Sequence, residues 1–208
     1  MSVQKAYDSW SQQYDTNINK TRDLEALALR EILSGIAFDS CLEIGCGTGK
    51  NTVWLMTRAK KITAVDLSAE MLAMAKQKIN SENVDFIQAN ILEDWNFATS
   101  KYQLVSFSLV LEHIESLEPI FSKISNIIAA GGYVYIGELH PFKQYSGSKA
   151  RFTTDEGEHV VSCFNHHLTD FTNAAAKHGF KIEAIKEYFD DDDRNTIPRI
   201  LAILFKAT

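Results

Sequence analysis

LEIGCGTGK, residues 42–50, is the most informative stretch of this 208-residue chain. An apolar run of strand type, 41–44, feeds a turn in which Gly45, Gly47 and Gly49 alternate with Cys46 and Thr48, and a helix is expected beyond it over 51–58. Glycine tolerates positive φ and lets a ligand approach the backbone closely, and a strand ending this way at the mouth of a helix is expected to expose backbone N–H groups to a ligand. The dinucleotide fingerprint G-x-G-x-x-G/A is not matched. Counting from Gly45, its last position falls on Lys50, and the third glycine comes one residue early. A plain strand-to-helix turn would use the same residues, so the loop alone leaves both readings open.

Periodic segments flank this loop on both sides. Over 22–36, Leu24, Leu27, Ala28, Ile32 and Ile36 share one helical face at three- and four-residue spacings. Past the loop, an apolar strand over 62–65 precedes a helix opened by Ser68, whose hydroxyl can cap free N–H groups, with Glu70 at the positive end of the dipole. Strands follow near 84–88, 103–107 and 133–137, and a helix is expected over 116–129 with Pro119 in its first turn and Gly131-Gly132 as its stop. These strands are continuous apolar runs, as expected where helices cover both sheet faces. An irregular stretch over 138–167 leads to a helix ending at Gly179 and to strands at 180–188 and 199–205, joined through the DDDD run at 190–193. No helix separates those two strands, so a hairpin makes the last one antiparallel. The expected class is α/β: a three-layer sheet of about seven strands, mostly parallel with an antiparallel last strand, in a single domain over 1–208.

Composition narrows the function. With 21 Lys+Arg against 27 Asp+Glu the net charge is −6, and no dense basic stretch suggests binding to nucleic acid through phosphates. At this length roughly 70% of the unfolded surface can be buried, so neither a disulfide nor a structural metal is needed. Cys41, Cys46 and Cys163 are odd in number and lack a C-x-x-C pair, which reads as free thiols in a reducing compartment. The amino terminus lacks the apolar core of a signal peptide and no run is long enough to span a bilayer, so a cytoplasmic protein is expected.

Asp66 ends the second strand 21 residues beyond Gly45, where a carboxylate can accept from ribose hydroxyls; it could also cap the helix that follows. With this residue in place, the combination YDSWSQQYD (7–15), LEIGCGTGKNT (42–52), VDLSAEML (65–72), QANILED (88–94), LVSFSLVLEHI (104–114) and the terminal antiparallel pair resembles a known family. That family is the class I S-adenosylmethionine-dependent methyltransferases, of Rossmann-like fold, and within it the small-molecule group that includes quinone-biosynthesis enzymes. The resemblance implies S-adenosyl-L-methionine as cofactor and S-adenosyl-L-homocysteine as product. It implies that Gly45, Cys46, Gly47 and Gly49 lie against the methionine part, with Glu43 fixing the loop and reaching the amino group through water. Asp66 would bind the ribose, Leu67 and Met71 would sandwich the adenine, and the carbonyl at Phe107 and Ser108 would accept from the ammonium. Asn90 and Ile91 match the position that reads the adenine amino group, where the family more often has Asp; Asn keeps an acceptor oxygen and drops the charge.

The resemblance also makes residues 1–21 a lid, with Tyr14 in it and Arg22 just after it binding the cofactor carboxylate; Tyr14 packed on the sheet and Arg22 capping a helix read as well. The segment SFSLVLEHI lacks the Asn/Asp/Ser-Pro-Pro-aromatic tetrapeptide of enzymes that methylate DNA amines. His113, just beyond, reads as a helix-start histidine facing solvent or the cofactor edge rather than a base.

Residues 138–167 hold four of the six histidines, His140, His159, His166 and His167, among Phe142, Tyr145, Phe152 and Phe164. A long connection after the fifth strand emerges at the carboxyl edge of the sheet, so this segment is expected to form the pocket for a small-molecule acceptor. Displacement at the sulfonium methyl needs a base only if the acceptor must lose a proton, and His140 is the first candidate, with His166 and His167 behind it. Adjacent histidines in an extended chain point opposite ways, so no metal site is expected. A non-catalytic cofactor-binding module stays open as an alternative; a nicotinamide-dependent oxidoreductase is opposed by the early third glycine. A monomer or homodimer is expected.

Overall fold

Leu42 and Ile44, which lead into the glycine loop, are buried, and the strand that carries them, β1 (Ser40–Ile44), lies inside a seven-stranded sheet. The computed structural model describes residues 2–154 and 157–208, with only the backbone for 152–154 and 158. The chain begins with α1 (Val3–Trp10), a 3-10 turn at Ser11–Gln13 and α2 (Lys20–Leu33), each α-helix opened by a side-chain cap, Ser2 and Asn19. Then β1, α3 (Lys50–Leu55), β2 (Lys61–Asp66), α4 (Ala69–Lys78), β3 (Val84–Gln88) and β4 (Tyr102–Ser108) alternate. A 3-10 turn at Leu111–His113, α5 (Glu118–Ile127) and β5 (Ile128–Leu139) follow. The rest is α6 (Pro141–Tyr145), the hairpin β6 (Arg151–Thr154) and β7 (Gly157–Val160), α7 (Leu168–Lys177), β8 (Phe180–Tyr188) and β9 (Ile200–Ala207).

The strand order is β3-β2-β1-β4-β5-β9-β8. Pairing is parallel from β3 to β5, and β9 runs antiparallel between β5 and β8, as the missing helix before it requires. Side chains at the sheet centre are buried from both sides. One apolar cluster joins β4, β5 and β9 to α5 and α7 around Phe107, Phe121 and Phe205; the other joins the sheet to α2, α3 and α4 around Leu29, Leu55 and Leu72. The connections turn one way from β1 to β3 and the other way from β4, so the order reverses between β1 and β4, where open α/β sheets bind ligands beyond the strand ends.

Two expectations are corrected. Gly131-Gly132 does not stop a helix: α5 ends at Ile127, Ile128 is already extended, and the glycines lie inside β5. The register against β4 slips between the Tyr102 and Leu104 pairings, so Gly131, at φ +67°, belongs to a bulge. The 138–167 stretch is not irregular throughout, since it contains α6 and the β6–β7 hairpin. Among the described residues no helix is long and apolar enough to cross a membrane, and the three cysteines are free.

Candidate functional site

The glycine loop needs its glycines for backbone shape. Gly45, Gly47 and Gly49 all have positive φ, at 72°, 52° and 81°. A Cβ on Gly45 would meet Val110 Cγ2 at 2.1 Å, so the turn after β4 presses directly on the loop; around Gly47 nothing lies within 4 Å of that position, which is open. The loop's N–H groups are mostly spoken for: those of Gly45 and Cys46 donate to the Val65 carbonyl (2.7 and 3.0 Å), that of Gly47 to Asp66 Oδ2 (2.8 Å) and that of Gly49 to the Cys46 carbonyl (2.9 Å). The expectation of exposed N–H groups is therefore corrected. A pyrophosphate would need those donors, whereas a ligand lying against the open face of Gly47 does not.

Asp66 caps as well as faces a cavity. Its Oδ1 accepts from Ser68 N (2.9 Å) while Ser68 Oγ caps Met71 N (3.1 Å), so strand end, loop and helix start are tied together. Burial raises its pKa above the usual carboxylate value against the pull of these N–H groups. Each oxygen keeps acceptor capacity for a ligand hydroxyl. Around Asp66 lies a cavity of about 210 Å³ bordered also by Tyr14, Gly45, Gly47, Leu67, Met71, Asn90, Ile91 and Ser108, nine of the expected cofactor residues in all. Asn90 Oδ1 accepts from Leu92 N (3.1 Å), which holds the turn after β3.

The other five expected cofactor residues do not border it. Glu43, Cys46, Gly49 and Phe107 stand behind the cavity wall: Glu43 Oε2 accepts from Thr52 Oγ1 (2.6 Å) in the interior, and its pKa is pushed up to about 8, chiefly by burial. Arg22 is spent on the chain itself. Its guanidinium donates to the carbonyls of Tyr14 and Asn17 and to Asp23, and lies 5.4 Å from the Tyr14 ring centre, so it closes the link between the lid and α2.

The amino-terminal segment expected as a lid is fastened at three places. Asp8 accepts from Ser68 Oγ (2.6 Å), Asp15 from Thr48 Oγ1 (2.7 Å) and from Lys78, and Trp10 and Ala6 pack on Met71 together with Val161 from beyond the hairpin. Val3, Tyr7 and Tyr14 thereby wall the narrow cavity, which is smaller than the ~300 Å³ at which small-molecule sites usually begin. A second cavity of about 670 Å³ opens between the amino-terminal segment and the segment after β5, and shares Tyr7, Tyr14 and Leu109 with the first. Leu109 holds φ +57°, a strained setting for leucine, just where β4 ends.

Beside Leu109, Glu112 and His113 occupy the 3-10 turn whose N–H groups at 110, 111 and 112 all donate to the Glu138 carboxylate (2.9, 2.8 and 3.3 Å). His113 Nδ1–H donates to the Ser162 carbonyl (2.8 Å), which fixes the tautomer, so Nε2 accepts from the Tyr7 hydroxyl (2.9 Å). Burial lowers the pKa of this imidazole. Glu112 is buried, its Oε2 has no hydrogen-bond partner, and burial pushes its pKa up to about 7. Glu112, His113 and Cys163 bring three possible metal ligands within 4.8 Å, but both ring nitrogens of His113 are already bonded.

The three histidines expected as bases border neither cavity. His140 caps α6 by accepting from Phe142 N (3.2 Å) and pairs with Glu187 (3.0 Å). His166 is buried and donates to the carbonyls of Leu111 and Ile114 (3.1 and 2.8 Å), clamping the turn that carries Glu112. His167 lies at the start of α7 against the Tyr145 hydroxyl (2.5 Å). A backbone cap and Glu187 took the His140 ring, backbone carbonyls the His166 ring and a tyrosine hydroxyl the His167 ring, and position along the chain gives no sign of that. Of the aromatic residues expected near the acceptor, the Phe152 side chain lies outside the described residues.

Residues 42–136 match the family model described as a methyltransferase domain. Over these residues, which carry the glycine loop, Asp66 and Ser108, the chain is similar to that family. It is 31% identical over 162 residues to a malonyl-[acyl-carrier protein] O-methyltransferase of Marinomonas sp. (strain MWYL1), covering 75% of this chain and 58% of that protein. The chain thus spans little more than half the length of that relative. Its fold is shared by the DhpI–SAH complex, with a TM-score of 0.77 at 22% identity over 98% of this chain and 94% of that one. It is also shared by an S-adenosylmethionine-dependent methyltransferase from Clostridium acetobutylicum ATCC 824, with a TM-score of 0.72 at 17% identity over 98% of both chains.

Proposed function

We propose that this protein transfers a methyl group from S-adenosylmethionine to a small-molecule acceptor. The observation that carries the reading is the pair of cavities with a common wall: a narrow one at the glycine loop and Asp66, and a wide one under the lid. S-adenosylmethionine supplies an activated methyl group on sulfonium, whose S–C electron pair returns to sulfur as an in-line nucleophile bonds to the methyl carbon. The protein's part is chiefly positioning, which can contribute about 7–11 kcal/mol. Asp66 would accept from the ribose hydroxyls, Leu67 and Met71 would face the adenine, Asn90 and Ile91 would border its amino edge, and the backbone at Ser108 would accept from the ammonium. Room for a nucleoside requires Val3, Tyr7 and Tyr14 to shift, as expected of a lid segment whose ties to the sheet and α4 run through side chains such as Asp8 and Asp15.

Where the acceptor carries a proton, Glu112 is placed to take it. It borders the wide cavity, and burial pushes its pKa up to about 7, which suits a general base. His140 has both ring nitrogens engaged elsewhere, His166 has Nε2 on two backbone carbonyls and His167 has Nδ1 on the Tyr145 hydroxyl. O-methyl transfer by the Marinomonas relative supports this reaction class. Three free thiols and the acidic charge support a cytoplasmic enzyme, monomer or homodimer, that does not engage nucleic acid.

Calorimetric titration with S-adenosylmethionine, S-adenosylhomocysteine and NADH tests the reading. Micromolar binding of the first two is expected, weakened by roughly 1–3 kcal/mol in Asp66→Asn, which removes a charged acceptor while keeping a side-chain oxygen. Binding of NADH alone, or of none of the three, overturns it.

A further inference from the structure

Glu25 lies on the buried side of its helix. It stands on the face of α2 that packs on the sheet, beside Ala28 and Leu29, and is only 2% exposed. A buried carboxylate is costly unless hydrogen bonds and an opposite charge meet it. The cation that acts on it, Lys50, is already paired with Asp23. Glu25 itself borders neither the narrow nor the wide cavity.

Three other elements converge on this carboxyl. The Tyr135 hydroxyl from β5 donates to Oε1 (3.1 Å) and the Asn51 amide from α3 donates to Oε2 (3.0 Å). The same amide donates to Ser108 Oγ (3.2 Å) at the end of β4, and leaves its own Oδ1 without a partner, the orientation expected beside an acid. Ser108 does border the narrow cavity, so the run from Glu25 through Asn51 to Ser108 leads from the interior to the place where the cofactor's ammonium is expected. Room for it is built into the sheet. Ser108 pairs in register with Gly137, and a Cβ on Gly137 would lie 2.5 Å from both Glu25 Oε1 and the Tyr135 hydroxyl. Burial pushes the carboxyl's pKa up to about 7 against hydrogen bonds from Ser108, Asn51 and Tyr135, and an ammonium beside Ser108 would join those bonds in favouring the carboxylate.

We propose that Glu25 is a positioning residue for the charged end of the cofactor: through Asn51 and Ser108 it sets a buried negative charge behind the Ser108 carbonyl and draws the methionine ammonium to it. The proposal rests on the methyltransferase reading above, since it assigns a counter-charge to that cofactor's ammonium. Glu43 is a separate group, held in the interior by Thr52. The nucleoside end meets Asp66, which is bonded to Gly47 and Ser68 instead, so the two ends of the cofactor are expected to respond separately.

The test is calorimetric titration with S-adenosylhomocysteine and with 5′-methylthioadenosine, which keeps the nucleoside and the thioether but lacks the ammonium and the carboxylate. Glu25→Gln keeps the shape and an acceptor for Tyr135, and Asn51 can turn its unpartnered Oδ1 to the new amide, so the variant is expected to fold. It is expected to lose at least about tenfold in S-adenosylhomocysteine affinity, with 5′-methylthioadenosine affinity unchanged within about twofold. Tyr135→Phe removes one bond that favours the carboxylate and leaves Glu25 in place, and is expected to give the same split at about threefold. The double variant Glu25→Gln/Asn51→Asp exchanges amide and carboxyl between the two positions and is expected to regain most of the loss, a reading of charge that needs S-adenosylhomocysteine alone. Equal losses for both ligands, an unchanged or raised S-adenosylhomocysteine affinity in Glu25→Gln, or no recovery in the double variant overturns the proposal while the methyltransferase reading stands. Failure of wild type to bind S-adenosylhomocysteine at all overturns both.

Discussion

The two cavities share three wall residues and are made from different material. The narrow one is bordered mainly by strand ends and the turns directly after them, so residues adjacent in sequence are adjacent in space: the loop after β1, Asp66 and Leu67 after β2, Asn90 and Ile91 after β3, Ser108 at the end of β4. The wide one is assembled from residues 7–21, the turn at 109–112, residues 148–151 and Arg199, which no short segment contains together. Sheet register fixes the first, and side-chain contacts between distant segments fix the second. The narrow cavity should therefore respond steeply to changes in backbone shape, and the wide one to changes in charge and in single hydrogen bonds.

The steepest response is expected at Gly45. An alanine there must hold φ 72° and place Cβ 2.1 Å from Val110 Cγ2. Left-handed backbone costs an L-residue about 1–2 kcal/mol, and overpacking a fixed neighbour about 1–3 kcal/mol more. Gly45→Ala is expected to lose about 100-fold or more in S-adenosylhomocysteine affinity, together with thermal stability. Gly47→Ala, at φ 52° with nothing within 4 Å of the new Cβ, incurs only the backbone term. Equal losses in the two variants, by calorimetry and thermal scans, would show that the contact with Val110 does not set the loop.

A smaller effect is expected beneath the same cavity, at Glu43. Burial, with the charges of Glu25 and Asp66 adding to it, pushes its pKa from an ordinary 4.5 up to about 8. Its folded value is raised, so as pH climbs the unfolded chain releases this proton first. Between about 4.5 and 8 the folded state holds the more protons, and stability falls across that window. Glu25, pushed up to about 7 by burial, acts with the same sign. Asp190, which Arg199 holds below its usual value, acts oppositely and only at lower pH. The expected result is a melting temperature higher at about pH 5.5 than at pH 8, by about 2 kcal/mol of stability, or about 4–8 °C at this chain length. Glu43→Gln keeps an oxygen for Thr52 and cannot ionise, so the slope should flatten. A wild type equally stable at both values would mean that Glu43 ionises in the fold.

This division also explains what the sequence could tell. Seven strands with β9 antiparallel, the reversal beside β1 and the grouping of nine residues around the narrow cavity follow from motifs of a few residues, because apolar runs and strand-end turns are local. Arg22 defeated the same reasoning: a guanidinium near the amino-terminal segment suits a carboxylate ligand, but the backbone carbonyls of Asn17 and Tyr14, five and eight residues away, took its donors first. His166 was lost to the carbonyls of Leu111 and Ile114, more than fifty residues distant in sequence. Glu112 and His113 carried one usable sign, their place just past a strand that ends at the ligand edge.

The smallest expected effect concerns the wall that both cavities share. Tyr7 stacks with Trp10 (5.8 Å between ring centres) and meets the His113 ring edge-on (5.5 Å), so Tyr7→Phe keeps the packing and deletes only the hydroxyl donated to Nε2. One neutral hydrogen bond is worth about 0.5–1.5 kcal/mol, so the melting temperature should drop by about 2–4 °C. The informative readout is His113 itself. The Tyr7 hydroxyl bonds the neutral imidazole and so opposes protonation, and its removal should move the His113 pKa upward in an NMR titration. An unmoved titration would mean that the hydroxyl does not hold the ring. Affinity for S-adenosylhomocysteine should change by no more than about threefold, since the ring that walls the narrow cavity is still present. A collapse of that affinity would place the hydroxyl in the cofactor site and erase the distinction between a cavity fixed by sheet register and one fixed by contacts across the lid.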